Sequence, residues 1–266
     1  MPDVFGSDAY APAEIAARVS RVGVVKARLP WLTLLLLGVL AGAFIGLGAL
    51  IFTLVASDAS LGFAATRLLG GLVFSLGLIL VTVAGAELFT GNNLIAMAWA
   101  GGHVSTVELL RNWALVCAAN FVGAAGLALL VWLSGQASMN EGAVARTAIR
   151  IAVAKAQLPW AEAFFRGVLC NVLVCMAVWM AMAGRSVTDK AVAVVFPITA
   201  FVAAGFEHSI ANMYFFPLAI LLGAPLGAAD LARNLLPVIA GNIVGGSVLV
   251  ALVYWAIYLR PARRPV

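Results

Sequence analysis

The sequence predicts an all-α membrane protein: six transmembrane helices laid out as two inverted three-helix repeats, with the second and fifth helices broken. Three observations carry this. Of 266 residues, 64% are hydrophobic and 10% charged, and the mean hydropathy is +1.08; a water-soluble globule does not have that composition. Two polar runs, Ala86 to Ile95 (AELFTGNNLI) and Ala204 to Met213 (AGFEHSIANM), interrupt apolar stretches at matching places in the two halves. Finally, Arg111 to Gly123 (RNWALVCAANFVG) aligns without gaps on Arg233 to Gly245 (RNLLPVIAGNIVG), with seven of thirteen positions identical.

Taken in order, residues 1–30 mix Asp3, Asp8 and Glu14 with Arg18, Arg21, Lys26 and Arg28 and hold no apolar run long enough for a cleaved signal peptide. They read as a cytoplasmic segment. At roughly 20 apolar residues per crossing, a transmembrane domain over 31–258 divides into spans at about 31–56, 68–100, 107–134, 157–183, 191–222 and 230–258, the second and fifth carrying the breaks. Residues 259–266 form a basic tail. Six crossings return both termini to one side. Ten of the sixteen Lys and Arg fall there (Arg18, Arg21, Lys26, Arg28, Arg111, Arg185, Lys190, Arg260, Arg263 and Arg264), while Arg67, Arg146, Arg150, Lys155, Arg166 and Arg233 lie opposite. That bias favours cytoplasmic termini and a plasma (inner) membrane location. The net charge of +5 then reads as topology, with no nucleic-acid partner implied. Cys117, Cys170 and Cys175 fall within spans as small core residues; no His/Cys spacing suits a metal, and no cofactor is expected.

An odd number of spans per repeat sets the two copies in opposite orientations, which places a pathway at their interface near the bilayer midplane. The residues at the breaks set what passes. Each break frees backbone N–H groups, and the half-helix after it points its positive end at the cavity. Glu87 and Glu207 precede the breaks and are expected to bond those freed N–H groups. Asn120 and Asn242 are expected to bond between helices packed through Gly123 and Gly245. His208, in mid-span, and Thr90, from the opposing repeat, converge on the centre, a setting that suits a small anion and a titrating imidazole. His103 sits in a Gly-Gly-His-Val-Ser-Thr loop and is expected to be solvated. Phe74, Leu78, Leu88 and Phe201, on the broken helices, would form narrow apolar constrictions that exclude hydrated cations. Asn140 to Lys155 reads as an interfacial helix, with Val144, Ala148, Ile151 and Val153 toward the membrane and Arg146, Arg150 and Lys155 toward water, a basic mouth that attracts anions.

Gly85 to Gly91 (GAELFTG), Gly167 to Ala177 (GVLCNVLVCMA) and Gly205 to Met213 (GFEHSIANM), with the six-span layout, resemble the formate/nitrite transporter family over essentially the whole chain. The resemblance implies an aquaporin-like protomer, here without paired Asn-Pro-Ala boxes, embedded in membrane lipid and assembled as a homopentamer with a pore in each protomer. It implies that Thr90 and His208 are the central gate and proton-exchange pair, oriented by Glu207, Asn171 and Asn212. Lys155 would be the vestibule residue that attracts the anion, and Phe74, Leu78, Leu88 and Phe201 the constrictions. Met176 departs from the smaller aliphatic usual in the family.

The implied substrates are formate, nitrite and hydrosulfide, moving with protons. Gly91 stands where formate channels resembling this one carry serine, which favours a nitrite-type break. The third loop and the Gly184 to Lys190 run look more like formate channels, and formate is the expected cargo. A bare anion is strongly disfavoured in an apolar constriction whereas the neutral acid is not, so permeation is expected to depend on pH. A membrane-embedded enzyme would have to use Glu87 and Glu207 as its acid–base pair. A receptor would need an output domain; neither is expected.

Overall fold

The computed structural model describes residues 9–260. Asp3, Asp8, Arg263 and Arg264, with most of the expected tail, lie outside them. The described residues fold into helices α1 (Pro12–Ala27), α2 (Trp31–Ala56), α3 (Phe63–Ala84), α4 (Phe89–Asn92), α5 (Ala96–Ala100), α6 (Thr106–Leu133), α7 (Ala143–Ala156), α8 (Trp160–Ala183), α9 (Val187–Ala204), α10 (Ser209–Leu221), α11 (Ala228–Ile243) and α12 (Val253–Tyr258). A 3₁₀ turn (Asn93–Ile95) joins α4 to α5, and a π-helical stretch (Val244–Leu252) joins α11 to α12. Six helical stretches are long and apolar enough to cross a membrane, and the two breaks fall between α3 and α4 and between α9 and α10, inside the second and fifth spans.

Local chemistry sets the ends. Pro30 and Pro159 stand immediately before Trp31 and Trp160, where a missing N–H costs nothing, so the fourth span starts at 160 rather than 157. Ser186 accepts a hydrogen bond from the Asp189 N–H at 3.1 Å, and Asp189 answers at the Ser186 N–H at 2.9 Å. This capping box starts α9 four residues before the expected 191, because Asp189 and Lys190, read as loop, belong to its first turn. The second span likewise opens at Phe63 rather than 68. Gly85 (φ +83°) and Gly205 (φ +76°) end α3 and α9 in the left-handed region that glycine enters without strain.

Within each repeat the spans close on small residues. A Cβ on Gly42 would meet the Asn120 carbonyl and one on Gly123 the Val39 carbonyl, which locks α2 to α6; Gly241 of α11 and Gly245 of the π-helical stretch after it do the same against Phe164 and Val168 of α8. Outward faces are apolar, with Phe63, Leu133, Phe165, Phe196 and Leu236 exposed, as helices surrounded by lipid require.

The duplication is longer than thirteen residues. Val24 to Trp31 (VVKARLPW) repeats as Val153 to Trp160 (VAKAQLPW), six of eight positions being identical. These strings end the amphipathic helices α1 and α7 and begin α2 and α8. Each repeat is therefore one short amphipathic helix followed by three spans.

Candidate functional site

At each break the chain leaves the helix with backbone groups to satisfy in a place without bulk water. Asparagine does this twice in the same way. Asn120 Oδ1 accepts from the Phe89 N–H at 2.9 Å, while its Nδ2 donates to the carbonyls of Glu87 (2.9 Å) and Gly38 (2.7 Å). Asn242 Oδ1 accepts from the Ser209 N–H at 3.0 Å, and its Nδ2 donates to the carbonyls of Glu207 (3.0 Å) and Gly167 (2.8 Å). The glutamates do not perform this task, contrary to expectation. Their carboxylates turn away from the breaks because a stronger partner is in reach.

That partner is lysine. Lys155 Nζ lies 2.7 Å from Glu207 Oε1 and Lys26 Nζ 2.9 Å from Glu87 Oε1. The other carboxylate oxygen of each accepts from Nδ2 of Asn212 or Asn92, both at 2.7 Å. Those amides also donate to Asn234 and Asn112, whose own Nδ2 groups donate to the backbone carbonyls of Lys155 and Lys26, both at 3.0 Å. Each chain thus closes on itself, which is how a carboxylate 3% or 6% exposed stays paired and satisfied. Lys155 does not face water as the helix reading expected: it turns inward, with 16% of its side chain exposed. Lys26 was missed. The eight-residue repeat that contains it was readable and makes it the counterpart of Lys155, in the last turn of α1 as Lys155 is in the last turn of α7.

Between the two ion pairs sits a hydroxyl–imidazole contact. Thr90 Oγ1 and His208 Nε2 are 3.1 Å apart, and both side chains are buried. His208 is the N-cap of α10: its Nδ1 accepts from the Ala211 N–H at 3.1 Å. A neutral ring that accepts at Nδ1 carries its hydrogen on Nε2, so Nε2–H donates to Thr90 and leaves the threonine hydroxyl hydrogen free to donate elsewhere. Leu88 occupies the equivalent N-cap position of α4 with the same extended backbone (φ/ψ −106°/124° against −109°/114°). One repeat carries an imidazole where the other carries an isobutyl group.

Of the residues expected to orient this pair, Asn171 donates to the Thr90 carbonyl at 3.2 Å, whereas Glu207 and Asn212 act on the ion pair and bond neither side chain. His103 is exposed. Among the described residues no cluster of side chains suits a metal ion.

Two cavities approach the centre. One, of about 290 Å³, is lined by Lys26, Glu87, Leu78 and Leu88; the other, of about 250 Å³, by Lys155, Glu207, Phe74, Phe201 and His208. Three spans separate Lys26 from Lys155, so the cavities open on opposite faces. The four expected constriction residues divide between them. Phe74 and Phe201 meet edge to face with centroids 5.7 Å apart, and Phe201 stacks on His208 at 5.8 Å, so the imidazole forms part of the apolar barrier.

The description "Formate/nitrite transporter" belongs to the family model that matches residues 13–256. The chain is 40% identical to the formate channel FocA of Haemophilus influenzae over 92% of its own length and 94% of the relative's, and 40% identical to formate channel FocA of Escherichia coli, covering 95% and 96%. A solved structure described as a pentameric formate channel with formate bound superposes with a TM-score of 0.80 at 39% identity, covering 86% of this chain and 98% of that one. The six-span duplicated fold and the match along nearly its whole length place this chain in the formate/nitrite transporter family.

Proposed function

We propose that the protein is a channel for small monovalent anions of weak acids, formate foremost and nitrite or hydrosulfide as the alternatives, assembled as a homopentamer in the plasma (inner) membrane. Residues 1–30 and the tail from 259 lie on the cytoplasmic side in this reading, in keeping with the excess of basic residues there. The observation that carries the reading is a buried hydroxyl–imidazole contact, Thr90 to His208, set in an apolar barrier between two cavities that each end at a lysine–glutamate pair. The relatives named as formate channels support the cargo, and the pentamer in the description of the solved relative supports the assembly.

The chemistry follows from charge and solvation. An anion entering the cavity beside Lys155 must shed water to pass between Phe74 and Phe201, and desolvation favours its neutral acid. The free Thr90 hydroxyl and the positive end of α10 offer replacements for the lost water. His208 takes up a second proton at Nδ1 only when the Ala211 N–H lets go, so proton exchange at the ring is coupled to the first turn of α10. Influx measured side by side for formate, nitrite and hydrosulfide in proteoliposomes tests the reading. Rates for all three equal to those of empty vesicles would overturn it, and the relative rates assign the cargo.

Thr90→Val keeps the shape of the side chain and removes the hydroxyl. It leaves Nε2–H without an acceptor in a buried site, a loss on the order of 1–3 kcal/mol, and formate flux is expected to fall about tenfold or more. Flux at the wild-type level would reduce Thr90 to packing.

A further inference from the structure

The cavity beside Lys155 has a charge balance that the lysine does not decide. Four charged side chains line it: Arg67, Lys155, Arg166 and Glu207. Lys155 is paired with Glu207 at 2.7 Å and Arg166 with Glu162 at 2.9 Å, so each presents a dipole rather than a net charge to an ion a few ångströms away. Arg67 has no carboxylate partner among the described residues. Its guanidinium instead donates to the last carbonyls of α9, from Nε to Ala203 at 2.9 Å and from Nη2 to Val202 at 2.8 Å. It lies over Gly205, where a Cβ would come within 2.8 Å of Nη2.

We infer that Arg67, rather than Lys155, supplies the net positive charge that draws anions into this cavity, and that it does so by cancelling the carbonyl end of α9. Two half-helix ends meet at this break. The C-terminus of α9 carries roughly half a negative charge and repels an anion, while the N-terminus of α10 carries roughly half a positive one. A full positive charge on the α9 carbonyls reverses the sign of that end, so that an incoming anion meets only positive potential before it reaches His208. The duplication did not provide this feature. Counted by the offset that maps Gly85 onto Gly205, the position equivalent to Arg67 is Val187. Lys190 lines the opposite cavity, but its Nζ makes no hydrogen bond with the end of α3. The two mouths therefore differ in how their unpaired cation is held: Arg67 lies on the closing carbonyls of α9, whereas Lys190 does not reach those of α3.

The inference rests on the anion-channel reading, and salt separates the two. Raising an inert salt from 0.01 M to 1 M shortens the screening length from about 30 Å to about 3 Å. Arg67→Gln is expected to lower initial formate influx into proteoliposomes about fivefold at the low ionic strength and less than about twofold at the high one, the range one charge exerts across several ångströms of partly wet cavity. Arg67→Lys keeps the charge without the planar fork and is expected to retain the wild-type salt response. The charge-balanced pair Lys155→Met with Glu207→Gln removes no net charge and is expected to retain it too.

Three outcomes overturn the inference: a wild-type salt response in Arg67→Gln; a defect in it that is equal at both ionic strengths and not rescued by lysine, which would make Arg67 a helix cap alone; or loss of the salt response in the charge-balanced double variant. A wild-type protein that moves no formate overturns the channel reading, and this inference with it.

Discussion

Replacing His208 with asparagine is expected to lower formate influx by about tenfold or more and to flatten its response to pH, because the one titrating ring at the centre is lost. Asparagine is the informative substitution because it is itself a strong N-cap. The bond that His208 Nδ1 now accepts from the Ala211 N–H passes to the asparagine side-chain oxygen, so α10 keeps its start while the titrating ring is lost. His208→Phe removes ring chemistry and cap together, and comparison of the two variants separates the proton role from the structural one. The measurement is initial influx at a fixed formic acid concentration as external pH is varied, with subunit assembly checked by elution volume. A pH profile of wild-type shape in His208→Asn would remove the imidazole from the proton path.

The second large effect is expected at the ion pair beside it. Lys155→Met leaves the Glu207 carboxylate, only 4% of whose side chain is exposed, with its asparagine partner but no cation. Stranding a buried carboxylate costs about 3–5 kcal/mol, and the partial exposure of the lysine site puts this one near about 3 kcal/mol. The single variant is expected to lose roughly 5–10 °C of thermal stability in detergent. Because the missing partner is the cause, Glu207→Gln added to Lys155→Met is expected to recover most of the loss. Equal stability of the single and double variants would show that the pair contributes no net stabilisation.

Much of this was legible in the letters. Length and hydropathy place six spans, and the polar runs at Ala86 and Ala204 mark both breaks, because polar side chains inside an apolar crossing have few other uses. The central pair could be named because a lone mid-span histidine and a threonine from the opposing repeat have one place to meet. What the sequence did not disclose were partners distant along the chain. Glu87 was assigned to local N–H groups because proximity in sequence is all a string shows, whereas its cation, Lys26, comes from a helix before the first crossing. Arg67 was counted only as a loop charge on the far face. Its role depends on where α9 ends, and that end is set by a glycine conformation rather than by any residue near Arg67. The early start of α9 was hidden because Asp189 and Lys190 signal loop by composition and capping box by position.

The unequal N-cap positions, Leu88 in one repeat and His208 in the other, leave the duplicated protein with one rigid and one compliant half. Capped by its histidine, α10 runs thirteen residues without interruption. Its counterpart α4 has no side-chain cap and lasts four residues before loosening into a 3₁₀ turn. Short, uncapped helical turns open at lower free energy than long capped ones, so thermal opening at the centre of the membrane is expected to be more frequent on the Leu88 side than in the first turn of α10. Amide hydrogens from Phe89 to Ala96 should exchange faster than those from Asn212 to Phe216, and the reverse order would contradict this mechanical asymmetry. Its consequence is that the two walls of the passage are expected to differ in compliance, the one built on Leu88 and Thr90 yielding more readily than the one built on His208.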